Sequence, residues 1–198
     1  MKTKRFPTRT LLTMLLFILI SFSVSAHCDS MNGPVVRAAK KSLETANINF
    51  TLIWVKPENE KDIKELFEKV LKVRILGSEA KELAEMYFFE TLVRLHRAGE
   101  GEPYTGIKSL DYKPEAGIEA ADEAIEKNNI DDILNLVSKK YHSKVILLFK
   151  NFQSTKNYDV NNIEAGRKYV ESYVGFIHYI EKLFGGENSK QEKHVHNH

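Results

Sequence analysis

The sequence predicts an all-α protein, a helical bundle built from two duplicated helical halves. From Pro34 onward, apolar residues recur at three- and four-residue spacing almost throughout, which is the period of a helix. Glycine and proline concentrate in one long segment, which separates the halves. At an offset of 82 residues, seven of the 19 positions 37–55 are identical to their counterparts, and the register carries His96 onto His178 (178 − 96 = 82).

The first 26 residues have the three parts of an export signal. Four basic residues precede an apolar run, Leu11 to Ile20, and Val24-Ser25-Ala26 forms a small-residue cleavage site. We therefore expect a signal peptide over residues 1–26 and a periplasmic or extracellular protein that begins at His27. The apolar run is too short to span a bilayer, so no stable membrane insertion is expected after cleavage.

The remainder predicts a single helical domain over residues 27–186, followed by a disordered tail over 187–198 that contains histidines. The halves run from about 34 to 98 and from about 116 to 184, and residues 99–115 link them. Ile48 to Val55 is rich in β-branched residues and also allows a strand, but its counterpart opens a helix, which favours a helix here. The periodic segments predict helices over Glu60–Leu76, Glu79–Ala98, Ile130–Lys150 and Glu164–Phe184.

The charge balance argues against a nucleic-acid partner. Removing residues 1–26 removes four basic residues and no acidic ones, which leaves 25 Lys and Arg (29 − 4) against 27 Asp and Glu. No stripe of basic residues with interleaved aromatics remains. The expected partners are a metal ion and a small-molecule substrate, and a homo-oligomer is compatible with the sequence.

Cys28 is the only cysteine, so it cannot form an internal disulfide. It is a free thiol, an intermolecular bridge or a metal ligand. So close to the new N-terminus, we expect it to be accessible and to serve as a ligand or reactive group. With His27, it would place an amine, an imidazole and a thiol on two consecutive residues, a set that can chelate one transition metal.

Three further histidines lie on predicted helices. His96 and His178 occupy matching positions of the two halves, and histidines that project inward from facing helices are how bundles build metal sites. Glu85 or Glu171 are candidates to orient their rings. His142 lies at the edge of its helix and is a weaker candidate ligand. The tail histidines, His194, His196 and His198, suit weak binding of Cu, Ni or Zn.

Thiolate and nitrogen donors together favour Ni, Cu or Fe, and Zn is also chemically compatible. Tyr104, in the linker, is a candidate catalytic acid that would supply protons to a bound anion. No HExxH, CxxC, P-loop or nucleophile-elbow pattern is present.

Two resemblances bear on these residues. His27-Cys28-Asp29, followed closely by a helix, resembles the start of mature nickel superoxide dismutase, which implies His27 and Cys28 as nickel ligands. Asn32 stands where that family has its second cysteine, so the resemblance implies an incomplete set. From His27-Cys28-Asp29 to Phe176-Ile177-His178-Tyr179, the chain is similar to an uncharacterised family of exported prokaryotic helical proteins.

The leading hypothesis is a redox-metal site made by His27, Cys28, His96 and His178, with superoxide dismutation or reduction as the reaction to test. The first alternative is a non-catalytic metal-binding protein or metallochaperone that uses the tail. The second is a helical interaction module without metal, in which Cys28 forms an intermolecular disulfide.

Overall fold

The computed structural model describes residues 28–114 and 116–191, and these fold into an all-α protein. No strand occurs in this part of the chain. The eight α-helices that it contains are α1 (Pro34–Thr45), α2 (Asn49–Leu52), α3 (Glu60–Val73), α4 (Ser78–Glu100), α5 (Ala116–Lys127), α6 (Asp131–Leu136), α7 (Lys139–Thr155) and α8 (Ile163–Gln191). A short 3-10 helix, Pro57–Asn59, precedes α3. None of the helices in the described residues is long and apolar enough to cross a membrane.

Some helices of the two halves begin and end at positions 82 residues apart, whereas α4 and α8 do not. Helix α5 spans the residues of α1 shifted by 82 (116 − 34 and 127 − 45), and α7 matches the 3-10 helix plus α3 in the same way. Among the described residues, Ala46 and Asn128 are the two non-glycine residues with positive φ, and they are also 82 apart. These are observations about the backbone, and a duplicated origin of the halves stays a prediction.

In two segments the structure excludes a conformation that the sequence allowed. The predicted helix over Ile130–Lys150 is wrong as a single element, because the chain leaves the helical conformation at Val137 and Ser138, which lie between α6 and α7. Both residues have extended backbone, with ψ of 150° and 141°. The strand alternative for Ile48–Val55 is also wrong, since α2 and turns occupy this segment.

One hydrophobic core runs through both halves. Helix α8 crosses the turns that follow α2, where the ring of Tyr173 lies edge-on to Trp54 at 5.9 Å between centroids. The approach is closest at Gly166, where a Cβ atom would stand 2.3 Å from Cγ2 of Ile53. Arg167 of the same helix pairs with Glu60 at 2.6 Å. These contacts fix α8 against the first half.

The N-terminal segment packs against the linker between the halves. The N–H of Lys108 donates to the carbonyl of Asp29 at 2.8 Å, and the N–H of Met31 donates to the carbonyl of Lys108 at 3.0 Å. The pair makes an isolated parallel bridge between Ser30 and Lys108. Cys28 and Asp29 are therefore held inside the fold rather than projecting from it.

Candidate functional site

A buried polar cluster lies where the last turn of α4 meets α8 and the N-terminal segment. Oε1 of Glu100 stands 3.4 Å from Nε2 of His96 and 3.9 Å from Nε2 of His178. Cys28 lies close enough for the Glu100 carboxylate to raise its pKa. The structure thus brings His96 and His178 to one carboxylate, whose charge also acts on Cys28.

The end of α4 positions that carboxylate. Gly101 has a φ of +79°, a left-handed conformation that glycine adopts without steric cost, and its N–H donates to the carbonyl of Ala98. The next N–H, of Glu102, donates to the carbonyl of Arg97. Glu100 is therefore the last helical residue and lies on the same face as His96, one turn earlier.

His96 is held in one orientation by a backbone carbonyl. Its Nδ1 lies 3.0 Å from the oxygen of Trp54, and because a carbonyl only accepts, Nδ1 carries the hydrogen. Burial, with only 4% of the residue exposed, lowers the pKa of His96 to about 4, so the ring is neutral at neutral pH. Nε2 then presents a lone pair toward Glu100.

Two buried acceptors therefore face each other. Nε2 of His96 and Oε1 of Glu100 have no hydrogen-bond donor among the residues that the structure describes. Burial raises the pKa of Glu100 to about 7, although Arg97 opposes the shift. An ionised carboxylate beside an unprotonated nitrogen is unfavourable unless a proton or a cation lies between them.

Arg97 ties the cluster to the N-terminal segment. Its guanidinium is buried and lies 3.3 Å from Oε2 of Glu100 and 3.6 Å from Oδ1 of Asp29. Glu102 is a third partner, at 3.9 Å. A buried arginine that joins carboxylates from two segments stabilises their relative position, because removing it would leave those charges uncompensated.

The surroundings of Cys28 are acidic. The residue is 3% exposed, which corrects the expectation of an accessible thiol near the N-terminus. Burial is the largest cause that raises its pKa well above the ordinary value, and the carboxylates of Glu100, Asp29 and Glu181 add to it. Arg97 acts in the opposite direction. The site therefore favours a neutral thiol until a cation is bound.

The other sequence-predicted residues lie in different settings. Nε2 of His142 lies 3.1 Å from the carbonyl of Val137 and donates to it, so that nitrogen is engaged. The hydroxyl of Tyr104 is buried without a hydrogen-bond partner in the described residues. Glu85 pairs with Arg74 at 2.6 Å instead of orienting His96, which corrects that expectation. The predicted signal peptide over residues 1–26, His27 and the tail histidines lie outside the described residues.

The side chains of the cluster are not arranged as the ligands of a metal ion in this structure. Within residues 28–114 and 116–191, no three His, Cys, Asp or Glu side chains are placed so that they could hold one ion. An apolar groove of about 390 Å³ lies between α3 and α4. Its lining offers little for catalysis, since it consists of Leu66, Lys69, Val70, Val73, Leu83, Ala84 and Tyr87.

Sequence reasoning missed Glu100 and Trp54 as members of the site. Glu100 occupies the i, i+4 position from His96, which is a usable signal on a helix. Trp54 contributes a backbone carbonyl 42 residues away, and the identity of its side chain gives no sign of that role.

Comparison with known proteins assigns the chain to a family but not to an activity. A family model described as a family of unknown function (DUF6448) matches residues 32–179. The chain therefore belongs to this family of unknown function. No curated protein and no solved structure matches it.

Proposed function

We propose that this protein binds a single transition-metal ion at the cluster of His96, Glu100 and His178, with the Cys28 thiolate as a further ligand. The observation that carries the proposal is the pair of buried acceptors, Nε2 of His96 and Oε1 of Glu100, that face each other at 3.4 Å. A bound cation turns this unfavourable pair into two ligands.

The orientation of His96 supports the same reading. Histidines that bind metals commonly donate their other ring N–H to a backbone carbonyl or a carboxylate, which fixes the tautomer. The bond from Nδ1 of His96 to the carbonyl of Trp54 is of this kind. Because the pKa of His96 is lowered to about 4, its free nitrogen needs no deprotonation at neutral pH.

The distances require only a modest adjustment. Two ligand atoms on one tetrahedral ion, with bonds of about 2.0–2.1 Å, lie about 3.3–3.4 Å apart. The separation between His96 and Glu100 already has this value, whereas Nε2 of His178 is 3.9 Å from Oε1 of Glu100. His178 is 34% exposed by side chain, so its ring has room to turn toward an ion.

The test uses the full chain with His194, His196 and His198 replaced by alanine, so that the tail cannot bind metal. Titration with Co(II) and Cu(II) should give one ion per chain, and the Co(II) form should show a thiolate charge-transfer band that Cys28→Ser removes. His96→Asn keeps a donor for the Trp54 carbonyl but removes the ligand nitrogen, and should weaken binding by at least about 100-fold.

His142→Asn is the matched control, since it removes a helical histidine whose nitrogen is already engaged, and binding should not change. Full affinity in the double variant His96→Asn, His178→Asn would overturn the proposal. Binding that is seen only while the tail histidines are present would assign the metal to the tail. That outcome would support the alternative of a metallochaperone with a labile site.

Redox catalysis on a small anion is the enzymatic form of the proposal, with superoxide as the first substrate to test. It is supported by the partly exposed edge at His178, which would admit a small ligand. Stoichiometric Ni, Cu or Fe without superoxide turnover would remove catalysis and leave metal binding.

The burial of Cys28 argues against the alternative of an intermolecular disulfide.

A further inference from the structure

A line of oxidisable aromatic rings leads away from His96. The indole of Trp54 lies edge-on to the imidazole of His96 at 5.4 Å between centroids, and Tyr173 follows at 5.9 Å. Tyr169 lies 6.3 Å beyond Tyr173, and Tyr158 stacks on Tyr169 at 5.2 Å. Four rings, each within 6.3 Å of the next between centroids, therefore join the cluster to the surface, because Tyr158 is partly exposed.

Packing alone does not account for the chemistry of these rings. The neighbouring core rings on α7 and α8 are phenylalanines, Phe149, Phe152 and Phe176, which resist oxidation. Tyr173 is 3% exposed, so its hydroxyl is buried at a cost that phenylalanine would avoid. That hydroxyl faces Oδ1 of Asp122 at 3.5 Å, and a carboxylate there can accept the phenolic proton.

We propose that Trp54, Tyr173, Tyr169 and Tyr158, named here the aromatic line, conduct oxidising equivalents from the buried cluster to the surface. The proposal rests on the proposed function in one respect: a redox-active ion at the cluster, oxidised by superoxide or a peroxide, would be the source of those equivalents. The line itself exists whether or not a metal binds.

The transfer balances as a sequence of one-electron steps. The oxidised site gains one electron from Trp54, which becomes a radical cation. Trp54 regains an electron from Tyr173, whose proton passes to Asp122. Tyr173 then regains an electron from Tyr169 and its proton from Asp122. Tyr169, which is partly exposed, releases its proton to water when it is oxidised and takes one back from water when Tyr158 reduces it. Tyr158, also partly exposed, is oxidised last and releases its proton to water.

Net, the site is reduced by one electron, and Tyr158 becomes a neutral radical with one proton released. An external thiol returns a hydrogen atom to Tyr158 and is itself oxidised. Damage is thereby moved from the buried ligands His96 and Cys28 to an accessible ring that a reductant in solution can repair.

The single tryptophan makes a test without metal feasible. Laser photoionisation of Trp54 in the metal-free full chain, with an electron scavenger present, produces a tryptophanyl radical. In the wild type, the optical band of this radical should decay as that of a tyrosyl radical appears. Tyr173→Phe keeps the ring but not the redox function, and should slow the transfer at least tenfold. Tyr169→Phe should confine the radical to Tyr173.

Tyr87→Phe is the matched control, because Tyr87 is 62% exposed and does not belong to the line, and the transfer should be unchanged. A tryptophanyl decay rate in Tyr173→Phe equal to that of the wild type would overturn the proposal. Circular dichroism of each variant separates a folding defect from a lost step.

A second arm asks whether the line protects the site. Copper-loaded protein is treated with hydrogen peroxide, and oxidised residues are mapped by peptide mass spectrometry. Oxidation should fall on Tyr158 in the wild type and move to Trp54 and His96 in Tyr173→Phe. The same map in both proteins would overturn the protective role. A chain that binds no copper would remove the proposed function, while the photochemical result still decides the aromatic line.

Discussion

Several helices of the two halves lie at matching positions, but the two halves bury different side chains. In the first half, the hydroxyls of Ser42 and Thr51 form a buried pair at 2.6 Å. At the positions 82 residues later stand Ala124 and Ile133, which are also buried, so the second half has apolar side chains there. The same backbone arrangement thus tolerates either a satisfied polar pair or none.

The paired histidines differ in the same way. His96 is 4% exposed and anchored by the carbonyl of Trp54, whereas the position that matches Trp54 is Leu136, whose side chain is exposed. His178 is accordingly more open to solvent. Matching sequence positions therefore do not produce matching sites, because burial and anchoring depend on what each half packs against.

The largest expected effect concerns Arg97, which has Tyr179 as its counterpart in the second half. Arg97→Met leaves the carboxylates of Asp29 and Glu100 buried without their cation, and should lower the free energy of unfolding by about 3–5 kcal/mol. Chemical denaturation measures this loss. Arg94→Met is the control, since Arg94 is exposed on the same helix, and its effect should stay within about 0.5 kcal/mol. Equal losses in the two variants would contradict the asymmetry between the halves.

The next effect concerns pH and uses metal-free protein. Glu100 has its pKa raised from 4.5 to about 7, so its contribution to stability is complete below about pH 4.5 and is lost as pH rises through about 7. His96 acts in the opposite sense. Its pKa is lowered from 6.5 to about 4, so its contribution is complete above about pH 6.5 and is lost as pH falls through about 4.

Glu100→Gln should remove the loss of stability that occurs as pH rises through about 7. Between about pH 5 and pH 8, the stability of the wild type relative to Glu100→Gln should fall by on the order of 3 kcal/mol. Urea denaturation of both proteins across this range measures the difference. Parallel profiles would show that Glu100 is not the buried acid that distinguishes the first half.

The smallest effect tests the exchange between hydroxyl and apolar pairs. Thr51→Val alone removes the hydrogen-bond partner of the buried Ser42 hydroxyl, and should lower the free energy of unfolding by about 1–3 kcal/mol. The double variant Ser42→Ala, Thr51→Val imitates the apolar pair of the second half, and should be more stable than the sum of the single losses by on the order of 1 kcal/mol. Denaturation of the four proteins completes the cycle. Additive losses would mean that the hydroxyls do not act as a pair.

Much of the fold could be predicted from the sequence because helical periodicity is a local property. The bounds of α3 and α4 differ from the predicted ones by at most three residues. The break between α6 and α7 could not be foreseen, since Val137 and Ser138 continue an acceptable helical pattern and leave it without a proline or a glycine. Tertiary packing decided against continuous helix there.

By itself, the sequence determined the all-α class, the register of 82 residues and the choice of Cys28, His96 and His178 as residues of interest. Only the tertiary structure decided that Cys28 is buried, and that Glu100 lies between the two histidines. The physical reason is that periodicity and spacing act along the chain, whereas burial and the approach of ligand atoms depend on how the N-terminal segment, α4 and α8 meet in space.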